Sequence, residues 1–302
     1  MSNPLWGIDL GGTKIEGVIL PSTNDVRPLI RVRVPTEASK GYEHVLDQIK
    51  VLVEEMKKQS GLSPEKIGVG TPGVLDPLTQ TMKNCNTTSL NNKPLEKDLQ
   101  AKLKLPVSLA NDANCFALAE TAWGVVKQKN LASRVVFGVI MGTGVGGGLV
   151  LDGRIWNGFH GIAGEWGHNF LDESGGPCYC GRTGCVETIL SGPALERYYT
   201  RLTDQNMSLK QIAENYTNGK DEAAQQTMER LAYFFGKGIA SVINVLDPDV
   251  IVIGGGVGNI RFLELAKPSL EKFIFNSRVD TPIVRPVLGD SAGVFGAAAL
   301  TV

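Results

Sequence analysis

His168, Cys178, Cys180 and Cys185 stand at H-x9-C-x-C-x4-C spacing, four metal-binding side chains inside 18 residues. Any fold of this chain must let those four meet at one point, because a Cys3His set is a closed donor set for tetrahedral zinc. The residues between them, including Asp172, Gly175, Gly176 and Pro177, favour loop over helix or strand. Such a segment has little packing of its own, and a metal would hold it. Four protein ligands leave no open coordination position, so the zinc is expected to be structural. Glu165 and Glu187 bracket the cluster, in Glu165-Trp-Gly-His168 and Cys185-Val-Glu187. A zinc-fixed loop would present both carboxylates to hydroxyl groups. Either ring nitrogen of His168 can take the metal, leaving the other to face a substrate.

A second pattern recurs along the chain. A strand over 5–10 runs into Gly11-Gly12-Thr13-Lys14 and resumes over 15–20; a strand over 135–141 meets the glycine-rich stretch 142–148, and a second strand follows over 148–151. A third turn, Gly254-Gly255-Gly256, follows a strand over 250–253. The first turn joins two strands and lacks the spacing of a Walker A loop. Glycine turns still let main-chain N–H groups approach phosphate oxygens, since no Cβ stands in the way. Thr13 and Lys14 would add a hydroxyl and a positive charge, and Asp9 could hold a hydrated Mg²⁺. An ordinary permissive hairpin is the plainer reading of one such turn, and recurrence at Thr143-Gly144 and at 254–256 argues against it. Asn111-Asp112 lies at a strand exit and helix entry, where either residue suits an N-cap. A carboxylate there could also take the proton of an attacking hydroxyl.

Helices are expected over 42–58, 113–123, 223–245 and 293–300, the first from apolar residues at Val45, Leu46, Ile49, Leu52, Val53 and Met56. Alternating strands and helices make this an α/β protein, and the repeated strand-turn-strand openings suggest two related lobes with a cleft. The formal net charge of −1, from 30 basic and 31 acidic residues, offers no basic field for nucleic acid. No stretch reads as a membrane span or an export signal. Clustered thiols in such a chain indicate metal rather than disulfides, and the cytoplasm is the expected compartment.

Asp9-Leu-Gly-Gly-Thr-Lys14, Ala110-Asn-Asp-Ala-Asn114, Gly142-Thr-Gly144, Glu165-Trp-Gly-His168, Cys178-x-Cys-Gly-x-x-Gly-Cys-x-Glu187 and Asp247-Pro-Asp249 with Gly254-Gly-Gly256 together resemble the ROK family of bacterial sugar kinases and repressors. The likeness spans about residues 5 to 300. Lys83-Asn-Cys-Asn86 and Pro177-Cys-Tyr-Cys180 draw it towards the fructokinase, or manno(fructo)kinase, branch. The resemblance implies an actin/Hsp70/hexokinase-like (ribonuclease H-like) fold with ATP in an interdomain cleft. The smaller lobe is expected at 1–111 plus 291–302 and the larger at 112–290. It makes Asp112 the catalytic base and Asn111, Asp112, Glu165, His168 and Glu187 the sugar ligands. Asp9, Gly11, Gly12, Thr13, Lys14, Thr143 and Gly144 would serve the phosphates, and Gly254, Gly255 and Gly256 would lie against adenosine. The expected activity is ATP-dependent phosphorylation of a hexose, fructose first, at O6, with Mg²⁺ and structural Zn²⁺. Glucose, mannose and N-acetylhexosamines are alternative substrates. A homodimer is expected. A sugar-responsive repressor is disfavoured, because the first glycine turn begins close to Met1 and the phosphate-turn residues are intact.

Overall fold

The computed structural model describes residues 3–219 and 221–302, which divide into two compact units. The first comprises residues up to 130 with 148–163 and 287–302; the second holds 131–147 and 164–286. The first begins with β1 (Leu5–Leu10), β2 (Lys14–Leu20) and β3 (Ile30–Pro35), followed by helix α1 (Tyr42–Ser60) and β4 (Ile67–Thr71). A small hairpin, β5 (Val74–Leu75) and β6 (Met82–Lys83), leads to α2 (Leu95–Leu103), β7 (Val107–Asn111), α3 (Asp112–Ala122) and the short α4 (Val125–Gln128). The sheet order is β3-β2-β1-β4-β7, antiparallel through the hairpins and parallel from β1 to β7.

α1 forms where the periodicity places it. All six of its predicted apolar positions are buried, each such side chain contributing roughly 1.5–3 kcal/mol of transfer free energy. The helix ends where Gly61 takes a left-handed φ of 69° and its N–H bonds to Lys57 O.

The second unit contains β8 (Val135–Met141) and the start of β9 (Val145–Leu151), whose last residues belong to the first unit and pair there with β10 (Arg154–Ile155). It continues with α5 (Glu187–Leu190), α6 (Gly192–Thr203), α7 (Leu209–Asn218), α8 (Glu222–Leu246), β11 (Val250–Gly254), α9 (Gly255–Gly258), α10 (Leu263–Phe273) and β12 (Ile283–Val284). β8, β11 and β12 run parallel. The last helix, α11 (Ala292–Ala299), lies in the first unit against β1 and β4. A Cβ on Gly7 would come within 2.4 Å of Val294 O, and one on Gly68 within 1.8 Å of Ala297 O, so bare glycines let this helix sit directly on the sheet.

Two boundaries differ from the sequence expectation. The turn after β8 is short, because Gly146, Gly147 and Gly148 belong to β9. A Cβ on Gly148 would meet Ala113 O at 2.3 Å and one on Gly147 would meet Gly164 O at 2.3 Å, so these two glycines serve close packing of a strand rather than a loop. α3, expected to open the second lobe, is part of the first unit, where the backbone of Cys115 packs against Gly296 of α11. No helix among the described residues is long and apolar enough to cross a membrane.

Candidate functional site

In the first unit, Asp9 sits near the end of β1, opposite Glu16 on β2. The intervening turn closes through Gly11 N–H to Lys14 O at 3.0 Å. Thr36 braces it, its hydroxyl donating to Gly11 O at 2.6 Å and its N–H to Thr13 O at 3.0 Å. Gly12, Thr13 and Lys14 are exposed. Burial, then the charges of Asp112 and Glu16, push the Asp9 carboxyl up to about 6. That upward push is the environment a divalent cation would relieve.

Lys14 Nζ lies 3.9 Å from Glu16 Oε2. Glu16 is buried and also binds the guanidinium groups of Arg31 and Arg33. Hydrogen bonds and charge from these two arginines outweigh burial, holding the Glu16 carboxyl below its usual range. This network was not anticipated, although the alternation of apolar and basic residues over 29–34 was its visible trace.

At the entry to α3, the two neighbouring polar residues divide the work. Asn111 is the N-cap, its Oδ1 accepting from Asn114 N–H at 3.1 Å. Asp112 needs no capping role and keeps one carboxylate oxygen on Ala113 N–H at 2.7 Å. Its surface is solvent-accessible, yet protein crowds round the carboxyl, and this burial pushes its pKa up against hydrogen bonds that lower it. We take the carboxylate as recessed but open, which satisfies both observations. A raised pKa suits a group that must accept a proton in turnover.

In the second unit, Gly142 N–H bonds to Gly144 O at 2.9 Å and Gly192 N–H to Gly142 O at 2.8 Å, fixing the turn on the start of α6. Glu187 opens α5, and its Oε2 accepts from Val145 N–H at 2.9 Å. The turn carrying Thr143 and Gly144 is thereby tied to a carboxylate that flanks the cysteine cluster. Gly254 ends β11, and Gly255 adopts φ 83° with no room for a Cβ beside Met141 O. Gly256 lines a cavity of about 1030 Å³ together with Leu209, Ala213, Tyr216, Asn259 and Ile260.

His168, Cys178, Cys180 and Cys185 do converge, with one ligand atom from each within 4.8 Å of all the others. His168 Nδ1 is 3.6 Å from Cys178 Sγ, and Cys180 Sγ is 3.6 Å from Cys185 Sγ. A tetrahedron with Zn–S of about 2.3 Å and Zn–N of about 2.05 Å has S···S edges of about 3.8 Å and S···N edges of about 3.6 Å. The donor set fits zinc in chemistry and two of its separations match a tetrahedral edge, whereas the full spread of up to 4.8 Å would tighten on the ion. Burial pushes the Cys185 thiol up to about 12, a cost that a cation on the sulfur would remove.

The metal would not act alone. Leu171 N–H bonds to Gly184 O at 2.7 Å and Cys178 N–H to Arg182 O at 2.7 Å. Trp166 donates its indole N–H to Gly238 O at 3.2 Å on α8, and Lys237 of the same helix donates to Leu171 O at 2.9 Å. Packing on α8 thus holds more of this loop than its composition suggests. Tyr179, given no role in the site by the sequence reading, places its hydroxyl 2.9 Å from His168 Nε2.

The fold is that of an α/β sugar kinase. The ROK family profile matches residues 5–302, and the chain belongs to that family of ATP-using sugar kinases. It is 36% identical to an N-acetyl-D-glucosamine kinase of Pasteurella multocida, over 98% of both chains. Among solved structures, a ROK hexokinase from Thermus thermophilus matches at 33% identity with a TM-score of 0.85, covering 98% of this chain and 97% of that one. A ROK family glucokinase from Streptomyces griseus, in complex with glucose and AMPPNP, matches at 28% identity and TM-score 0.79 over 99% of each.

Proposed function

We propose that this kinase transfers the γ-phosphoryl group of ATP to an N-acetylhexosamine, N-acetylglucosamine first, with Asp112 as general base. The sugar assignment departs from the fructose expected from sequence, and full-length identity to N-acetyl-D-glucosamine kinases supports the change. The observation carrying the mechanism is the division at the start of α3, where Asn111 caps the helix and leaves a recessed carboxylate available.

In this reading Asp112 takes the proton of the sugar's 6-hydroxyl as that oxygen attacks the γ-phosphorus. A new O–P bond forms, the bond to the β,γ-bridging oxygen breaks, and ADP departs with its electron pair. Glu165 and Glu187 accept hydrogen bonds from sugar hydroxyls, and His168 Nε2–H donates one. Main-chain N–H groups of the turns at 11–14 and 142–144 stabilise phosphate oxygens. Mg²⁺, held through Asp9, would offset the phosphate charge. Zinc, held by His168 Nδ1 and the thiolates of Cys178, Cys180 and Cys185, would supply a fixed crosslink. The cavity beside Gly256 is the candidate seat of the adenine base.

An ADP-release assay across N-acetylglucosamine, N-acetylmannosamine, glucose, mannose and fructose tests the sugar assignment. N-acetylglucosamine should give the highest kcat/KM, and a higher value for fructose would overturn it.

A further inference from the structure

We propose that Tyr179 caps the sugar-facing nitrogen of His168 in the sugar-free enzyme and is displaced by a substrate hydroxyl, so that this side chain lowers sugar affinity. The inference rests on the preceding reading that His168 donates to the sugar. Its basis is the local geometry. Nδ1 of His168 is turned towards Cys178 Sγ at 3.6 Å, while Nε2 is 2.9 Å from the Tyr179 hydroxyl. With the metal on Nδ1, the neutral ring carries its proton on Nε2. That N–H donates, and the phenol oxygen accepts. A sugar hydroxyl approaching the same N–H finds an acceptor already in place.

The contact is built to open. The backbone around Tyr179 is fixed by Cys178 N–H to Arg182 O at 2.7 Å and Gly181 N–H to Cys178 O at 3.0 Å. The side chain is 69% exposed. It rests edge-on against the imidazole, ring centroids 5.1 Å apart at 89°. Rotation about χ1 releases the phenol without moving a metal ligand. Tyr179 also borders a cavity of about 1140 Å³, so open space lies beside the ring.

Apparent affinity falls by the fraction of molecules in which the nitrogen is open. One neutral hydrogen bond of ordinary net strength keeps such a cap closed roughly 70–90% of the time. Tyr179→Phe retains the ring and removes the acceptor. Calorimetry with N-acetylglucosamine on zinc-loaded protein should then show Kd about threefold to tenfold lower, with KM falling alongside and kcat unchanged. An equal or weaker affinity, at the zinc content of the parent, would overturn the cap.

A second measurement uses the unaltered enzyme. The His168 Nε2–H resonance should be protected from exchange without sugar and should shift when N-acetylglucosamine is added. Free exchange without sugar also overturns the cap, even if the variant fails to hold zinc. A resonance that sugar leaves unmoved while turnover persists removes the underlying reading of His168. A resonance that shifts while the variant gains no affinity removes only the cap.

Discussion

Gly144→Ala isolates the link between the Thr143–Gly144 turn, proposed to serve phosphate, and Glu187, proposed to bind sugar. Gly144 has no left-handed φ, so alanine meets no backbone penalty there, but its Cβ would lie 2.5 Å from Glu187 Oε2. Ordinary Cβ contacts begin at 3.4 Å, so the oxygen must retreat by about 0.9 Å, the difference of those two distances. It now sits 2.9 Å from Val145 N–H, and a retreat of that size ends the hydrogen bond. The atom displaced is the end of a flexible side chain, so the fold should survive. A hydrogen bond to a charged acceptor contributes roughly 1.5–3 kcal/mol, which at about 1.4 kcal/mol per decade corresponds to roughly tenfold to a hundredfold. Sugar Kd by calorimetry and KM by ADP release should rise within that range, with the melting temperature changed by no more than a few degrees. Unaltered KM in a folded protein would refute the idea that Glu187 must be held on Val145 to bind sugar.

Asp112→Asn should lower kcat by about 10²- to 10⁴-fold while sugar Kd stays within about threefold; near-parental turnover would take the base role from Asp112. Cys180→Ser, or chelation, should lose zinc and weaken sugar binding by about tenfold or more, with faster hydrogen exchange over residues 168–187. Sugar affinity that survives metal loss would break the proposed dependence. Because Asp9 is pushed up to about 6, its ionised form is lost as pH falls through that value rather than near the usual carboxylate value of about 3.9. At fixed, non-saturating Mg²⁺, kcat/KM should therefore drop on an acid limb near pH 6, and a limb below about 4.5 would separate Asp9 from the metal.

Much of this arrangement was legible because it is local. Apolar spacing in α1, glycines flanked by short apolar runs, and four ligands inside one loop are each set by neighbours in sequence. What escaped the sequence depends on residues far apart. Glu16 reads as one exposed acid in a strand until β3 brings Arg31 and Arg33 onto it. The run Gly146–Gly148 looks like a turn because the reason for Gly148, close contact with Ala113, lies thirty-odd positions earlier. Glu120 gave no signal at all. It is fully buried, with oxygens accepting from Val125, Val287 and Leu288 N–H groups at 2.9 to 3.2 Å. Sugar identity was the hardest to read, since hydroxyl-binding Asn, Glu and His residues suit every hexose.

The seat of α11 on Gly7 and Gly68 has a consequence for the order of assembly. β1 and β4 expose a glycine-lined groove whose occupant, residues 292–299, is made about 220 residues after β4 ends at Thr71. Contacts of such sequence separation form slowly, and unpaired apolar surface is vulnerable while they wait. The nascent sheet of β1 and β4 therefore remains a docking surface without its helix until α11 has been made, and this interval is when the chain most needs protection from aggregation.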